Sequence, residues 1–305
     1  MKRRHFLKKA GGAAFLLSSG GFPFEAIGTA EVVKLCILHT NDVHSRIEPF
    51  KEDGGKRAGL GGAARRASLI RQVRAEEEHV LLLDSGDMFQ GTPYFNYFGG
   101  ELEFKLMSAM QYDAATIGNH DFDAGLEGLH KQLPHANFSL LSCNYDFSDT
   151  LMNGKIRPYQ IFDKGGIRIG VFGLGIELEG LVPTELYGAT RYLDPVKNAN
   201  RVARELKKVQ RCDYVICLSH LGYQYRSETI SDVRLAKAST DIDLILGGHT
   251  HTFLEEPHVE QNAEGRPVII NQVGWAGIML GRLDIQFERN RKNRCVSCAN
   301  IWVKN

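Results

Sequence analysis

Apolar residues in this chain gather into short strand-like runs, and five of those runs stop at side chains able to bind a metal. Cys36-Ile37-Leu38 leads to Asp42 and His44, and Val80-Leu81-Leu82-Leu83 leads to Asp87. Ala114-Ala115-Thr116-Ile117 precedes Asn119 and His120. Val215-Ile216-Cys217-Leu218 precedes His220, and Leu244-Ile245-Leu246 precedes His249 and His251. Between the early runs the apolar spacing becomes helical. Ala63, Ala64, Ala67 and Ile70 follow the turn Gly59-Leu60-Gly61-Gly62, a second helix is expected near 101–111, and a third near 125–133 stops at Pro134. With strands at 114–118 and 138–142, this β-α-β-α-β-α-β rhythm predicts a largely parallel sheet with its functional loops at one edge.

The middle of the chain changes character. Arg157–Gly175 reads as two strands around Asp163-Lys164-Gly165-Gly166, a hairpin pattern. Asp194-Pro195 is a helix start, with Asp as cap and Pro in the first turn. The helix it opens is expected to carry Val196, Ala199, Val202, Ala203, Leu206 and Val209 on one face. Another helix is expected near 228–238, between the strands that deliver His220 and His249. Near the end Leu283, Ile285 and Phe287 alternate with Arg282, Asp284, Gln286 and Glu288, as in an antiparallel strand with one wet face. The whole predicts a mixed α/β fold, with residues 31–305 as a single domain.

Composition adds a few constraints. The formal net charge is +1, so no global attraction draws a nucleic-acid polymer or an anionic membrane, and any pull on an anionic substrate must be local. No run after the first 30 residues approaches the roughly 20 apolar residues of a membrane span. Those first 30 have the layout of an export signal: Lys2, Arg3 and Arg4, a Gly/Ala-rich mildly apolar stretch, then Gly28-Thr29-Ala30. Arg3-Arg4-His5-Phe6-Leu7-Lys8 resembles a twin-arginine signal, which implies a periplasmic or extracellular location. Of the cysteines, Cys36 and Cys217 fall inside strand-like runs and are expected to be buried thiols. Cys295 and Cys298 have the spacing of half a zinc knuckle, but no second half follows, so no structural zinc is expected.

The chemistry lies at the strand ends. Asp42 and His44 are two positions apart, so on a strand both would point to one face and converge on one ion. His249 and His251 repeat the spacing. Asp87 follows its run through a Ser-Gly turn that lets a short carboxylate reach between two cations, and Asn119 adds a neutral oxygen. Oxygen and imidazole donors without thiolate suit two divalent ions of Zn²⁺, Mn²⁺, Fe or Co²⁺. Their four positive charges, less those of Asp42, Asp87 and a bridging hydroxide, leave a formal +1 that attracts phosphate; the hydroxide is the expected nucleophile. His120 follows a ligand position and is expected to face the substrate phosphate, stabilising its charge and helping the leaving oxygen depart. These features predict a metal-dependent phosphoester hydrolase.

The segments Leu38-His39-Thr40-Asn41-Asp42-Val43-His44, Gly86-Asp87-x-x-Gln90-Gly91, Gly118-Asn119-His120-Asp121-Phe122-Asp123, His220 and Gly247-Gly248-His249-Thr250-His251 resemble the catalytic domain of the 5′-nucleotidase family, within the calcineurin-like metallophosphoesterases. The resemblance covers essentially all of 31–290. It implies a sandwich of two mixed β-sheets flanked by helices. It also implies that Asp42, His44, Asp87 and His251 hold one metal, and that Asp87, Asn119, His220 and His249 hold the other, with Asp87 bridging. Asn119 and His120 would bind the substrate phosphate. Asp123 resembles the family's partner that orients and charges His120, with Asp121 as the runner-up. The family's C-terminal nucleotide-binding domain is expected to be absent, and a separately encoded nucleotide-binding subunit is an expected partner.

Other polar residues have plainer explanations. His39, His79, His130, His135 and His258 are expected in surface or structural roles, Asp84 in holding loop backbone, and Asn41 in shaping a turn. Arg289–Arg294 reads as a solvated turn between strands. For function, the leading expectation is a phosphomonoesterase acting on nucleoside 5′-monophosphates. The alternatives are a hydrolase of 2′,3′-cyclic nucleotides, nucleotide sugars or other phosphodiesters at the same site, or a metal-bearing subunit without turnover.

Overall fold

The computed structural model describes residues 32–288 and 294–304, the side chains of Arg294 and Cys295 excepted. The expected export signal at 1–30 and most of the basic stretch 289–294 lie outside the described residues. In chain order the strands are β1 (Val32–Thr40), β2 (Val80–Asp84), β3 (Ala114–Thr116), β4 (Ser139–Leu141), β5 (Tyr145–Asp146), β6 (Tyr159–Lys164), β7 (Ile167–Leu174), β8 (Arg191–Tyr192), β9 (Tyr214–Ser219), β10 (Leu244–Gly247), β11 (His258–Gln261), β12 (Pro267–Asn271), β13 (Met279–Glu288), β14 (Arg294–Cys298) and β15 (Ile301–Trp302).

They form two mixed sheets and one small pair. The first runs β14-β13-β1-β2-β3-β4, with β15 also on β13; the second runs β11-β12-β10-β9-β7-β6; β5 pairs with β8. In the first, β1 through β4 are parallel, as the β-α-β rhythm predicted, and β13 runs antiparallel to β1. In the second, β7, β9, β10 and β12 are parallel, while the hairpin β6–β7 turns at Gly165-Gly166. All five runs that end in metal-binding side chains are therefore parallel strands of one sheet or the other.

Side-chain alternation explains the layering. Leu35, Ile37, Leu81 and Leu83 of the first sheet pack with Ile169, Val171, Ile216, Leu218, Leu244 and Leu246 of the second. Their neighbours Cys36, Leu38 and Leu82 point the other way, onto Ile70 and Val73 of the helix Ala63–Glu76 and onto Phe104. On the far side, Val215, Cys217 and Ile245 meet Ala199, Val202, Leu206 and Leu235. Both faces of each central strand are covered, which is why the runs are apolar at every position rather than at alternate ones. Each fully buried Leu or Ile contributes roughly 1.5–3 kcal/mol, enough to hold strained turns at the strand ends.

Several expectations shift in detail. The second helical region is two helices, Pro93–Phe98 and Glu101–Ala109, broken at Gly99-Gly100, where both residues have positive φ. Asp194 caps the helix Pro195–Arg204 by accepting from Lys197 N at 2.9 Å. That helix passes into a π turn, Glu205–Val209, which rotates Val209 off the apolar face and leaves it 64% exposed. The helix expected from 228 begins at Asp232, where Ser231 caps it. Cys36, Cys143, Cys212, Cys217 and Cys298 are free thiols, and Cys36 and Cys217 are fully buried.

Candidate metal centre

The C-terminal ends of β1, β2, β3, β9 and β10 bring the strand-end side chains into one cage. Two groups of ligand atoms form there, Asp42 with His44 and His251, and Asp87 with His220 and His249; within each the atoms lie within 4.8 Å of one another. Asp87 Oδ2 is 3.1 Å from His220 Nε2 and 3.8 Å from His44 Nε2, so its carboxylate lies between the groups. Asp42 Oδ1 is 3.3 Å from His251 Nε2 and 3.9 Å from His44 Nε2. Asn119 Oδ1 reaches His249 Nδ1 at 2.9 Å. The structure thus gathers all seven side chains singled out as ligands.

The local backbone differs from the strand alternation expected for Asp42–His44 and His249–His251. β1 ends at Thr40 and β10 at Gly247, and the liganding residues lie in the turns beyond. Asp42 (φ 50°), His44 (49°), Asp87 (56°), His249 (69°) and His251 (53°) are all left-handed. Such a conformation costs a non-glycine residue about 1–3 kcal/mol and persists only where the surroundings enforce it. Here they do. Asp42 N donates to Gly86 O, His44 N to Asp87 O and His249 N to Asp42 Oδ1, at 2.9–3.0 Å. Gly118 is a glycine for a different reason: a Cβ there would meet Asp87 Oδ1 at 2.2 Å.

The nitrogen atoms of the cage are arranged as ligands. His220 Nδ1 donates to Ser85 O at 2.7 Å, which leaves Nε2 as the inward atom, fully buried and without a hydrogen-bond partner. His44 Nδ1 lies 3.3 Å from Phe89 O, which turns its Nε2 toward His251 Nε2, 3.0 Å away. Two imidazole lone pairs aimed at one point with a carboxylate beside them suit a cation.

Electrostatics agree. Burial lowers the His249 pKa to about 4, with His220 adding to the effect, and burial also lowers that of His44, which favours the neutral, metal-binding form of both rings. Burial would lower His220 too, but Asp87 and Asp42 overcome it and raise it to about 10. A proton and a metal therefore compete for the same Nε2. For Asp87, burial acts to raise the pKa, and His220, His44 and His120 outweigh it and hold the carboxylate ionised.

His120 stands at the open side of the cage, its side chain 39% exposed and its ring 5.3 Å from that of His44. Its Nδ1 is 2.9 Å from Asp123 Oδ2. That hydrogen bond is the main cause of a raised His120 pKa, against the opposing effect of burial. Asp121, the alternative partner, is ruled out by its own bonds: its carboxylate accepts from the backbone N–H of Asp87, Met88, Phe89 and Gly118 at 2.8–3.1 Å. It is the anchor of the Asp87 loop, a role the sequence reading missed.

The other residues given plain roles fall outside the two groups. Asp84 accepts from Gly86 N, and Asn41 bridges Asp42, Gly274 O and Val273 N. His39 is fully buried beside Asn271, and His258 pairs with Tyr223.

Two packed mixed sheets with a His/Asp cage suited to two metals at their shared edge define a dinuclear metallophosphoesterase-type domain. A family model described as calcineurin-like phosphoesterase matches residues 36–253, and the chain belongs to that family. It is 37% identical over 275 residues to a snake venom 5′-nucleotidase of Crotalus adamanteus, covering 84% of this chain and 45% of that protein. A 5′-nucleotidase of Vibrio cholerae is 35% identical over 323 residues, covering 96% and 56%. Among solved structures, a 5′-nucleotidase precursor from Thermus thermophilus superposes with a TM-score of 0.81 at 31% identity, over 89% of this chain and 55% of that one. This is a metal-dependent phosphoesterase domain related to 5′-nucleotidases, and the chain spans about half the length of the curated relatives it matches.

Proposed function

We propose that this chain is an exported phosphomonoesterase of the 5′-nucleotidase type, with residues 31–305 as one catalytic domain and 1–30 as a twin-arginine-type export signal. The observation that carries the reading is Asp87 placed between two ligand groups, with the His120–Asp123 pair beside them. The relatives' names support a nucleoside monophosphate as substrate, and one of them is a venom enzyme, which agrees with export. Among the described residues no helix is long and apolar enough to cross a membrane.

In this reading Asp42, His44, Asp87 and His251 hold one ion, and Asp87, Asn119, His220 and His249 the other; the oxygen and imidazole donors suit Zn²⁺, Mn²⁺, Fe or Co²⁺. Two bound divalent ions would supply a water acidic enough to attack at neutral pH and positive charge for the phosphoryl oxygens. The protein's own residues do the rest. Asp121 fixes the loop that presents Asp87, and Ser85 fixes the His220 tautomer. Asn119 and His120 flank the phosphate. Asp123 favours the protonated form of His120, so that as the P–O bond to the leaving group breaks, the Nε2 proton passes to the departing oxygen.

Purified chain loaded with Mn²⁺ or Zn²⁺ is expected to release phosphate from nucleoside 5′-monophosphates faster than from a bis-aryl ester. Preference for cyclic nucleotides or nucleotide sugars would replace the monoesterase reading, and no release from any of these would leave a non-catalytic subunit.

The His120–Asp123 bond also sets a pH dependence. A general acid must be protonated, so activity holds below its pKa and falls above it. Asp123 raises that pKa. Asp123→Asn is therefore expected to move the basic limb of the kcat profile to lower pH, with a smaller loss at the optimum than removal of His120. An unmoved limb would show that another group sets it.

A further inference from the structure

Two of the four cage imidazoles are oriented at Nδ1 by a backbone carbonyl, His44 by Phe89 O and His220 by Ser85 O, while His249 Nδ1 lies 2.9 Å from Asn119 Oδ1, its proposed co-ligand. Among the described residues His251 has no such partner; its polar neighbours, His44 Nε2 and Asp42 Oδ1, both lie at its Nε2. It is also among the more exposed of these side chains, at 39%. A liganding histidine is ordinarily held by its second nitrogen, and without that tether the ring turns about its side-chain bonds and loses affinity for the ion.

An aromatic face takes the place of the missing bond. Trp275 lies parallel to the His251 ring, with centroids 5.6 Å apart and planes 11° off, an offset stack. The indole is itself held. Phe50 meets it edge to face at 5.9 Å, and the Arg57 guanidinium carbon is 4.8 Å from its centroid. Its backbone is stapled to the opposite metal-binding turn: Val273 N donates to Asn41 Oδ1, Asn41 Nδ2 to Gly274 O, and Ala276 N to Asp42 O at 2.7 Å. These bonds tie the loop that carries Trp275 to the turn that carries Asp42.

We infer that Trp275 is the positioning residue of His251, fixing by stacking the imidazole that completes the Asp42–His44–His251 metal position. The inference rests on the two-metal reading, but its test does not need turnover. Removing the indole frees one imidazole and leaves His220, tethered to Ser85 O, and His249 untouched, so the two metal positions should respond unequally.

The experiment is stepwise titration of the metal-free chain with Mn²⁺ or Co²⁺ by calorimetry, using His251→Ala to identify the binding step that depends on this ligand. Trp275→Ala is expected to weaken that step by about tenfold and the other by less than twofold, and Trp275→Phe to recover most of the loss. In a Trp302→Phe background, where Trp275 is the remaining tryptophan, Co²⁺ should quench fluorescence in the same step. Should Trp275→Ala fail to fold, the quenching and the exposed Arg57→Ala variant still decide; Arg57→Ala should weaken the same step by about two- to threefold. Equal weakening of both steps, no weakening of either, or quenching at the wrong step overturns the inference. Failure of the wild-type chain to take up two ions would instead overturn the proposed function.

Discussion

Asp87→Ala is expected to empty both metal positions together and to reduce turnover by roughly a thousandfold or more. Asp87 is 1% exposed, and its carboxylate lies within 4 Å of imidazoles from both groups, His220 and His44. Two divalent ions a few ångströms apart repel each other, and a shared anion offsets that repulsion. Without it, four imidazoles and the single carboxylate of Asp42 face both charges. Each ion contributes several kcal/mol to phosphoryl-transfer chemistry, and about 1.4 kcal/mol is tenfold in rate. The loss should be general across substrates, because it precedes any contact with a leaving group. Metal analysis of the purified variant checks it, and retention of about two ions per chain would contradict the bridging position. Unchanged thermal unfolding of the metal-free variant would show that the fold survives.

His120→Ala should separate chemistry from metal binding. The side chain makes its close bond to Asp123, and only its backbone N–H touches Asp87, at 2.8 Å. Metal content should therefore stay near two ions per chain while kcat falls by about 10²–10⁴-fold, the usual contribution of a general acid. The size of the fall should depend on the leaving group. A nucleoside alkoxide needs a proton as it departs, whereas an aryl oxide leaves without one, so the variant should lose far more on the nucleotide than on an aryl phosphate. An equal loss on both would assign His120 to charge stabilisation alone. Collapse of the metal content would make it a ligand.

The strand ends were legible because liganding residues must follow buried strands closely, and buried strands announce themselves as unbroken apolar runs. Asp42, Asp87, Asn119, His220 and His249 were found that way. Their backbone was not. The left-handed turns at Asp42, His44 and His249 are held by bonds to Gly86 O, Asp87 O and the Asp42 carboxylate, contacts with no trace in local sequence. Asp121 was visible as a carboxylate but ambiguous beside Asp123, since only the approach of the Asp87 loop supplies the N–H groups that occupy it. Trp275 carried no signal at all, because its partner His251 is 24 positions away and the contact depends on a turn between two strands.

By itself, then, the sequence determined which side chains could bind metal, that they sit at the ends of parallel strands, and that helices cover those strands. Whether the ends of β1, β2 and β3 meet those of β9 and β10 was decided only when the two sheets packed face to face. That packing follows from the alternation that sends Ile37 and Leu81 toward Ile216 and Leu246. Periodicity along a chain specifies which face is buried; which other face it meets is a matter of fit between surfaces far apart in sequence.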